Sequence, residues 1–293
     1  MLTDVLGYLR CPLCHGPLAT GGPDAGHALR CPRGHTFDVA RQGYVNLLTG
    51  RSPHPGDTTA MVAARAAFLA AGHYDFVRTA LIAAADQPPA TAQPATAQPA
   101  TGQRLILDAG AGTGWHLAGL LAALPAAVGL ALDVSTAALR RAARAHPRVA
   151  AGCADTWTGL PVADASADLV LNVFAPRNGP EFHRVLRPDG ALLVVTPDHD
   201  HLAELVEPLG LLRVDPAKSE RVAGSLTGRF HRVGHSGHRQ RLRLSRHEVD
   251  TLVGMGPSAR HTDPARLATG IAALPEPVTV TASVRVSVYR PRG

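Results

Sequence analysis

The sequence contains a single lysine, Lys218, few aromatic residues and no long apolar run. Its basic side chains are therefore almost all arginines, and they exceed the acidic ones to give a formal net charge of +6. Such a balance favours a polyanionic partner, although a generic basic surface explains it equally well. Aromatic residues make up only 4% of the chain, so its 45% of hydrophobic residues must build a mostly aliphatic core.

No apolar run approaches the roughly 20 residues that a transmembrane helix needs, so we expect no membrane contact. The first residues do not resemble a signal peptide, because Asp4 and Arg10 interrupt them and cysteines follow at once. We therefore expect a cytoplasmic protein. In that compartment four cysteines are expected to be metal ligands or buried thiols rather than disulfides.

Composition divides the chain into four parts. Residues 1–50 are rich in turn-forming residues and hold three of the four cysteines, which predicts a small separate module. Helical periodicity over residues 51–85 predicts a helical connector that divides at Gly72. Repeated Pro, Ala, Thr and Gln predict a flexible linker at residues 86–103, and residues 104–293 are long enough for one large domain.

Strand and helix patterns alternate after the linker, as they do in a parallel sheet covered by helices on both faces. The strands are predicted at residues 105–109, 128–133, 149–153, 168–173 and 191–196, with helices at 115–124 and 136–145. Residues 239–244 and 278–289 alternate with period two, as half-buried antiparallel strands do. The predicted fold is an α/β domain with a mostly parallel, seven-stranded sheet that an antiparallel pair closes at one edge.

The N-terminal cysteines have the spacing of a structural zinc site. Cys11 and Cys14 form a C-x2-C pair, and Cys31 and His35 form a C-x3-H pair after a spacer of sixteen residues. Three thiolates and an imidazole suit tetrahedral Zn²⁺ and leave no open position for a substrate. The small module has little core, so the metal should supply folding energy, unless the spacing arises by chance in a reduced chain. Cys153 ends an apolar strand and is expected to be a buried thiol.

A glycine-rich turn follows the first strand of the large domain. Asp108 precedes Gly110, Gly112 and Gly114, whose G-x-G-x-G spacing permits a tight turn and close approach of the backbone to a ligand. This spacing differs from the dinucleotide fingerprint and is similar to motif I of class I methyltransferases, which use S-adenosylmethionine. A nicotinamide-dependent enzyme is the alternative, and it would need the six-residue glycine pattern.

Two further acids follow the ends of later strands. By the resemblance to class I methyltransferases, Asp133, which ends the second strand, lies where a carboxylate accepts hydrogen bonds from both ribose hydroxyls. Asp155 follows the third strand, where the same resemblance implies a carboxylate that accepts a hydrogen bond from the adenine amino group. Either acid alone is explained as an ordinary residue at a strand end. Together with Asp108, three acids in register with three strand ends predict an S-adenosylmethionine site.

With both features placed, the sequence resembles the zinc-containing 23S rRNA (guanine-N1)-methyltransferases. It is especially similar to the branch linked to tylosin and related macrolide resistance in actinomycetes. The resemblance covers nearly the whole chain apart from the linker. Besides the zinc ligands, it is carried by HTFDVARQGYVNLL at 35–48, DTTAMVAAR at 57–65, AGHY at 71–74, NVFAPRN at 172–178, and residues 196–197 and 201–202.

This resemblance implies a class I, Rossmann-like methyltransferase domain beside a zinc-binding module that recognises RNA. It implies further cofactor contacts from Tyr74, His116, Leu117 and His201. The family often has aromatic residues where this chain has Trp115 and His116, which leaves the role of His116 open. The implied assembly is a homodimer whose cleft holds a hairpin of 23S ribosomal RNA. The implied product is N1-methylguanine at guanine 748, or at the neighbouring guanine 745, with resistance to tylosin-type macrolides as the consequence.

The segment after the fourth strand is where class I enzymes place contacts to the methyl acceptor. The acceptor-side candidates are Asn172, Phe174, Pro176 and Arg177. Phe174 is suited to stack on an unpaired base, and core packing is its alternative role. Asp198 and water are both candidates to take the guanine N1 proton. A small-molecule methyltransferase and a non-catalytic RNA-binding protein are the rival classes.

Overall fold

The computed structural model describes residues 2–21, 27–50, 52–86, 103–213 and 224–292 of the chain. The linker predicted for residues 86–103 lies outside the described residues, except for Asp86 and Gln103 at its ends. Among the helices of the described ranges, none is both long enough and apolar enough to cross a membrane.

The N-terminal residues form a small module with one short helix and a three-stranded antiparallel sheet. Helix α1 (Leu2–Val5) leads into a 3-10 turn, and strands β1 (Ala19–Thr20), β2 (Ala28–Arg30) and β3 (Thr36–Asp38) pair in chain order. Each strand has only two or three residues, so backbone pairing alone gives little stability. The module therefore depends on other contacts to fold.

Apolar side chains of this module pack against the α/β domain, so the two parts share one core. Leu9 is fully buried in the same cluster as Leu107 and Phe182 of the α/β domain. The backbone joins the two parts as well, because the Arg10 N–H donates to the Pro161 carbonyl at 3.0 Å. The N-terminal module is thus attached by packing as well as by chain connection.

Eight further strands form one central sheet. In chain order they are β4 (Tyr44–Asn46), β5 (Arg104–Ala109), β6 (Ala127–Asp133), β7 (Val149–Cys153), β8 (Ala167–Val173), β9 (Leu186–Pro197), β10 (Phe230–Leu244) and β11 (Val278–Pro291). Their spatial order is β10-β11-β9-β8-β5-β6-β7-β4. Strands β4 to β9 pair in parallel, and β11 and β10 close one edge in antiparallel fashion, as the sequence predicted.

Seven of these strands were predicted from the sequence, and β4 is the one that the prediction missed. It has three residues, too few to show a strand periodicity, and it lies within residues 1–50. Tyr44 pairs with Ala151 and Asn46 with Cys153, so β4 extends the parallel sheet beyond β7. The predicted seven-stranded sheet is therefore an eight-stranded one, and part of residues 1–50 belongs to it.

Helices cover both faces of the sheet. They are α2 (Thr59–Ala70), α3 (Asp75–Ala85), α4 (Trp115–Ala123), α5 (Thr136–Ala142), α6 (Gly179–Val185), α7 (Ala203–Leu209), α8 (Arg246–Gly254) and α9 (Pro264–Ala273). The predicted division of the helical connector at Gly72 is confirmed, and its φ of +81° suits glycine. Thr58 starts α2 by accepting a hydrogen bond from the Met61 N–H.

The order of the sheet reverses at β5. This strand pairs in parallel with β6 on one side and with β8 on the other. In such sheets the carboxyl ends of the strands leave a crevice at the reversal, and ligands bind there. Asp108, Asp133 and Asn172 lie at the carboxyl ends of these three strands. The fold therefore brings the predicted cofactor and acceptor residues to one crevice.

Candidate functional site

Four side chains of the N-terminal module converge as their spacing predicted. The ligand atoms of Cys11, Cys14, Cys31 and His35 all lie within 4.8 Å of one another. Sγ of Cys11 and Sγ of Cys31 each lie 3.4 Å from Nδ1 of His35. Sγ of Cys14 lies 3.6 Å from Sγ of Cys31. Tetrahedral Zn²⁺ with ordinary bond lengths separates such ligands by about 3.6–3.8 Å, so the set fits this metal.

Two tight turns place these ligands. The Cys11 carbonyl accepts the His15 N–H at 2.8 Å, and the Cys31 carbonyl accepts the Gly34 N–H at 2.9 Å. His15 and Gly34 have φ of +58° and +87°, which turns the chain sharply beside Cys14 and His35 respectively. Four protein ligands would complete the coordination of a bound Zn²⁺, so the set fits a structural rather than a catalytic centre.

The glycine-rich turn connects β5 to α4 and packs closely against two neighbours. Gly110 and Gly114 have φ of +84° and +74°. A Cβ on Gly110 would lie 2.5 Å from Cβ of Ala175, and one on Gly114 would lie 3.0 Å from Cα of Ala142. Helix α4 starts at this turn without a side-chain cap, so its first N–H groups remain available to a ligand.

Asp108 is a buried carboxylate whose Oδ1 has no hydrogen-bond partner among the described residues. Burial, together with the nearby charge of Asp133, raises the pKa of Asp108 to about 8. A buried and uncompensated carboxylate is costly, and a cation bound beside it would restore the charged form. S-adenosylmethionine carries a sulfonium and an α-ammonium group, so Asp108 fits this cofactor.

Asp133 ends β6 with its carboxylate beside the glycine-rich turn. Its Oδ2 accepts the Gly112 N–H and its Oδ1 accepts the Ser135 N–H, both at 2.8 Å. Burial raises the pKa of Asp133, and the two backbone hydrogen bonds oppose that rise. Each carboxylate oxygen keeps a second lone pair, which suits the hydroxyl donors of a ribose.

Residues 52–58, which we call the crossing segment, contact two of the strand-end positions. Oδ2 of Asp155 accepts the Ser52 hydroxyl at 2.7 Å and lies 2.9 Å from Nδ1 of His54. Burial alone would raise the pKa of Asp155, but these hydrogen bonds lower it, so the carboxylate stays ionised. The Ser135 hydroxyl donates to the Asp57 carbonyl at 2.7 Å. The crossing segment therefore borders the region in which a ribose and an adenine are expected.

Arg65 of α2 joins the crossing segment to the glycine-rich turn. It donates to the Asp57 carboxylate through Nη1 and to the Met255 carbonyl at 2.9 Å through Nη2. A Cβ on Gly112 would lie only 3.3 Å from Nη1. The sequence assigned no role to Arg65, Ser52 or His54. The one signal that pointed to Arg65 is its place in the DTTAMVAAR stretch of the family resemblance.

Three aromatic side chains from distant parts of the chain meet at the carboxyl ends of β8 and β9. The Tyr74 hydroxyl lies 3.2 Å from Nε2 of His201. The ring of Phe174 is 6.3 Å from that of Tyr74 and 6.2 Å from that of His201. Tyr74 is buried, which raises its pKa and keeps its hydroxyl protonated. Phe174 is 42% exposed, so the three rings, which we call the aromatic wall, have an open end.

The backbone of Phe174 is unusual for a bulky residue, because its φ is +51°. Non-glycine residues rarely adopt this conformation, and those that do cluster at functional sites. Asn172 holds the segment in place beneath it: Nδ2 donates to the carbonyls of Ala109 at 3.2 Å and Pro176 at 2.7 Å. Its Oδ1 accepts from Arg177 at 3.4 Å. Asn172 and Arg177 thus support Phe174, and the Asn172 amide is engaged within the fold.

The tautomer of His201 follows from its contacts. Nδ1 accepts the Ser283 N–H at 3.1 Å, so it carries no proton, and the neutral ring is protonated at Nε2. Nε2 then donates to the Tyr74 oxygen. The Tyr74 hydroxyl proton is consequently directed toward an acceptor other than His201.

His116 and Leu117 lie in the first turn of α4. Leu117 is fully buried in the core, so only its backbone N–H can be offered to a ligand. Nδ1 of His116 is buried and has no hydrogen-bond partner among the described residues. Burial and then the charges of Arg65 and Arg78 lower the pKa of His116 to about 3, so the ring is neutral.

Asp198 follows β9 and is already paired. Its Oδ2 lies 3.2 Å from Nη2 of Arg285, and its Oδ1 accepts the His199 N–H at 3.0 Å. Burial opposes the change, but the hydrogen bonds from His199 and Arg285 lower the pKa of Asp198. A carboxylate of lowered pKa is a weak general base. Cys153, expected to be a buried thiol, is fully buried and its pKa is raised to about 11 by burial and by Asp133.

The sheet, its reversal at β5 and the glycine-rich turn define a class I, Rossmann-like methyltransferase. Comparison with family models agrees, because the model described as "Methyltransferase domain" matches residues 106–190. The model described as "RlmA, N-terminal" matches residues 9–51, which hold the cysteine and histidine cluster.

Full-length relatives define the family more closely. A protein of Micromonospora griseorubida is 64% identical over 99% of this chain and 100% of its own length. The 23S rRNA (guanine(748)-N(1))-methyltransferase of Streptomyces fradiae is 49% identical over 99% of each chain. The chain belongs to the 23S rRNA (guanine-N1)-methyltransferase family. A solved methyltransferase of Geobacter sulfurreducens, in complex with S-adenosyl-L-homocysteine, is 16% identical with a TM-score of 0.44, covering 73% of this chain and 90% of that one.

Proposed function

We propose that this protein transfers the methyl group of S-adenosylmethionine to N1 of guanine 748 in a hairpin loop of 23S ribosomal RNA. The observation that carries the proposal is the open-ended aromatic wall, which lies at the same carboxyl edge of the sheet as the glycine-rich turn. The name of the Streptomyces fradiae relative supports guanine 748 over the neighbouring guanine 745. Because its proposed substrate is ribosomal RNA, we expect the protein to act in the cytoplasm.

The cofactor side of the crevice is formed by residues from several elements. We assign Asp108 to the cationic methionine part, Asp133 to the ribose hydroxyls and Asp155 to the adenine amino group. The remaining contacts come from the glycines of the turn and the first turn of α4, and from the aromatic wall: Gly110, Gly112, Gly114, His116, Leu117, Tyr74 and His201. The sulfonium of the bound cofactor supplies an activated methyl group, so the chain contributes alignment of the acceptor rather than an electrophile.

The acceptor side is the exposed end of the aromatic wall. Phe174 would stack on the target guanine, because its ring is exposed and its backbone is held in a strained conformation by Asn172 and Arg177. Guanine N1 lies on the pairing edge, so the base must be unpaired in its loop or flipped out of a stem.

The N1 proton must leave before or during methyl transfer. Tyr74 stays protonated, Nδ1 of His201 is occupied by a backbone N–H, and Asp198 is paired with Arg285. None of these three side chains is a good base. We therefore assign removal of the N1 proton to water. The side chains of the aromatic wall position the guanine so that its N1 faces the methyl group.

Methylated nucleotides of ribosomal RNA from a sensitive host with and without this protein test the function. A methyl group at N1 blocks pairing, so reverse transcriptase should stall one nucleotide before guanine 748, and the host should tolerate tylosin-type macrolides. Phe174→Ala should lower methylation roughly 5- to 150-fold, since stacking on one base is worth about 1–3 kcal/mol, and Phe174→Trp should retain it. An unmodified guanine 748 would refute the site, and normal activity of Phe174→Ala would refute the stacking role.

The proposal includes a homodimeric assembly. A homodimer would let two chains hold one RNA hairpin in a shared cleft, and sedimentation of the purified protein tests this expectation.

A small-molecule methyltransferase is the rival function. The family relatives and the zinc-binding module favour RNA, and binding of a 23S rRNA hairpin distinguishes the two functions.

A further inference from the structure

We propose that the edge strand β10 binds phosphates of the RNA strand that enters the acceptor site, through Arg239, Arg241 and Arg243. This inference rests on the proposed function because it assumes an RNA substrate. It identifies the surface that holds the substrate beside the aromatic wall.

Strand β10 is a long edge strand whose charged side chains are all basic. It covers Phe230–Leu244, pairs with β11 and ends the spatial order of the sheet. Its sequence, FHRVGHSGHRQRLRL, contains four arginines and three histidines and no acidic residue. Most of its side chains from His231 to Arg241 are exposed, whichever face of the strand they occupy. A basic strip along the edge of a sheet is suited to a polyanion.

The register places the arginines at the catalytic end of the sheet. His238 is level with Val284 of β11, which is level with Pro197 at the carboxyl end of β9. Since β10 runs in the same direction as β9, the residues after His238 extend beyond that carboxyl end. Arg239 pairs with Ser283, whose N–H fixes the tautomer of His201 in the aromatic wall.

The three arginines form a row on one face of the strand. Alternate residues of a strand share a face about 6.7 Å apart, so Arg239, Arg241 and Arg243 span roughly 13 Å. All three are exposed. Arg239 reaches Asp200 at 2.8 Å with its side chain 63% exposed. In the part of the chain that the structure describes, neither Arg241 nor Arg243 is paired with an acidic side chain.

A second copy of this chain is the rival occupant of such an edge. Antiparallel pairing of two β10 strands would bring two rows of arginines and histidines together, and like charges directly opposite are destabilising. An RNA strand neutralises the same charges and releases its counterions on binding. Charge therefore favours RNA over a second copy on this edge.

The test measures the affinity of the full-length, zinc-containing protein for a protein-free RNA hairpin that contains guanine 748, at several salt concentrations. Arg241→Gln with Arg243→Gln should weaken binding about tenfold. The double variant should also flatten the dependence of log affinity on log salt concentration by about 1.4–1.8, since two phosphate contacts are lost. The lysine pair, Arg241→Lys with Arg243→Lys, should keep most of the affinity because it keeps the charge.

Arg140→Gln with Arg141→Gln is the matched control, because both residues are exposed in the last turn of α5, where the chain returns toward the amino ends of the strands. Equal losses in the two glutamine pairs would overturn the proposal in favour of a generic basic surface. A changed oligomeric state with unchanged RNA affinity would assign β10 to a second copy instead. If the wild type binds the hairpin but leaves guanine 748 unmethylated, a selective loss in the β10 variant still supports this surface, while the proposed function fails.

Discussion

At the scale of single residues, burial raises the pKa of Asp108, the residue that we propose faces the cationic part of the cofactor. Its carboxylate is almost fully buried, and Asp133 adds a second negative charge nearby. The folded chain therefore binds a proton at Asp108 far more tightly than an unfolded chain would. If Asp108 pairs with the cationic cofactor as proposed, it must first lose that proton, so we expect cofactor binding to depend on pH through this side chain.

Asp108→Asn should stabilise the cofactor-free protein and weaken cofactor binding. The folded pKa of Asp108 is raised to about 8 from an ordinary 3.8, so its contribution to stability is complete below about pH 4 and falls as pH rises to about 8. The asparagine variant should lack this decline and gain about 1–3 kcal/mol near pH 8. Chemical denaturation of both proteins at several pH values measures the difference.

Calorimetry with S-adenosylmethionine completes that prediction. The affinity of the wild type should rise between pH 6.5 and 8.5 as Asp108 ionises, and the variant should bind about tenfold or more weakly with a flatter pH dependence. Equal affinities for the two proteins would mean that Asp108 does not face the cofactor.

At the scale of elements, the glycine-rich turn packs directly against the segment after β8, because Gly110 has no side chain to separate them. Gly110→Ala should destabilise the protein by about 1–3 kcal/mol, since its Cβ would lie 2.5 Å from Cβ of Ala175 and its φ is +84°. Cofactor affinity and methylation should fall together. Gly237→Ala in β10 is the control, because nothing lies within 4 Å of its added Cβ. Equal denaturation midpoints for the two variants would contradict the close packing.

The sequence predicts only those parts of the crevice that lie at the ends of regular strands. Asp108, Asp133 and Asp155 could be singled out because parallel strands bring their carboxyl ends to one edge and because the glycine-rich turn resembles motif I of class I methyltransferases. The contacts of Ser52 and His54 with Asp155 join residues about 100 positions apart through an irregular segment. No periodicity encodes such a contact, and the same holds for the strained backbone of Phe174.

At the scale of the whole molecule, the zinc centre and the methyltransferase sheet are mechanically connected. The N-terminal module shares a hydrophobic cluster with the α/β domain, and β4 lies between that module's small sheet and β7. Loss of the metal should therefore lower the stability of the α/β domain as well as that of the N-terminal module. In a chain with two independent domains, only the N-terminal module would lose stability.

Cys14→Ser should remove the bound zinc and lower the stability of the methyltransferase domain by several kcal/mol, because zinc binding contributes folding energy to a module that supports the sheet. The two tryptophans, Trp115 and Trp157, both lie in the methyltransferase domain, so their fluorescence reports its unfolding. Metal analysis and denaturation followed by this fluorescence make the measurement. Cys153→Ser, at the buried thiol outside the cluster, should keep the zinc. An unchanged midpoint in Cys14→Ser would show that the two parts unfold independently.

The pairing of β4 with β7 also sets an order of events during protein synthesis. Tyr44 leaves the ribosome about a hundred residues before its partner Ala151. The N-terminal module can take up zinc early, but β4 lacks its partner in the central sheet until β7 has been made. Parallel pairing over such a long separation is intrinsically slow. The newborn chain therefore passes through a stage in which its first module is closed and its catalytic sheet still lacks an edge.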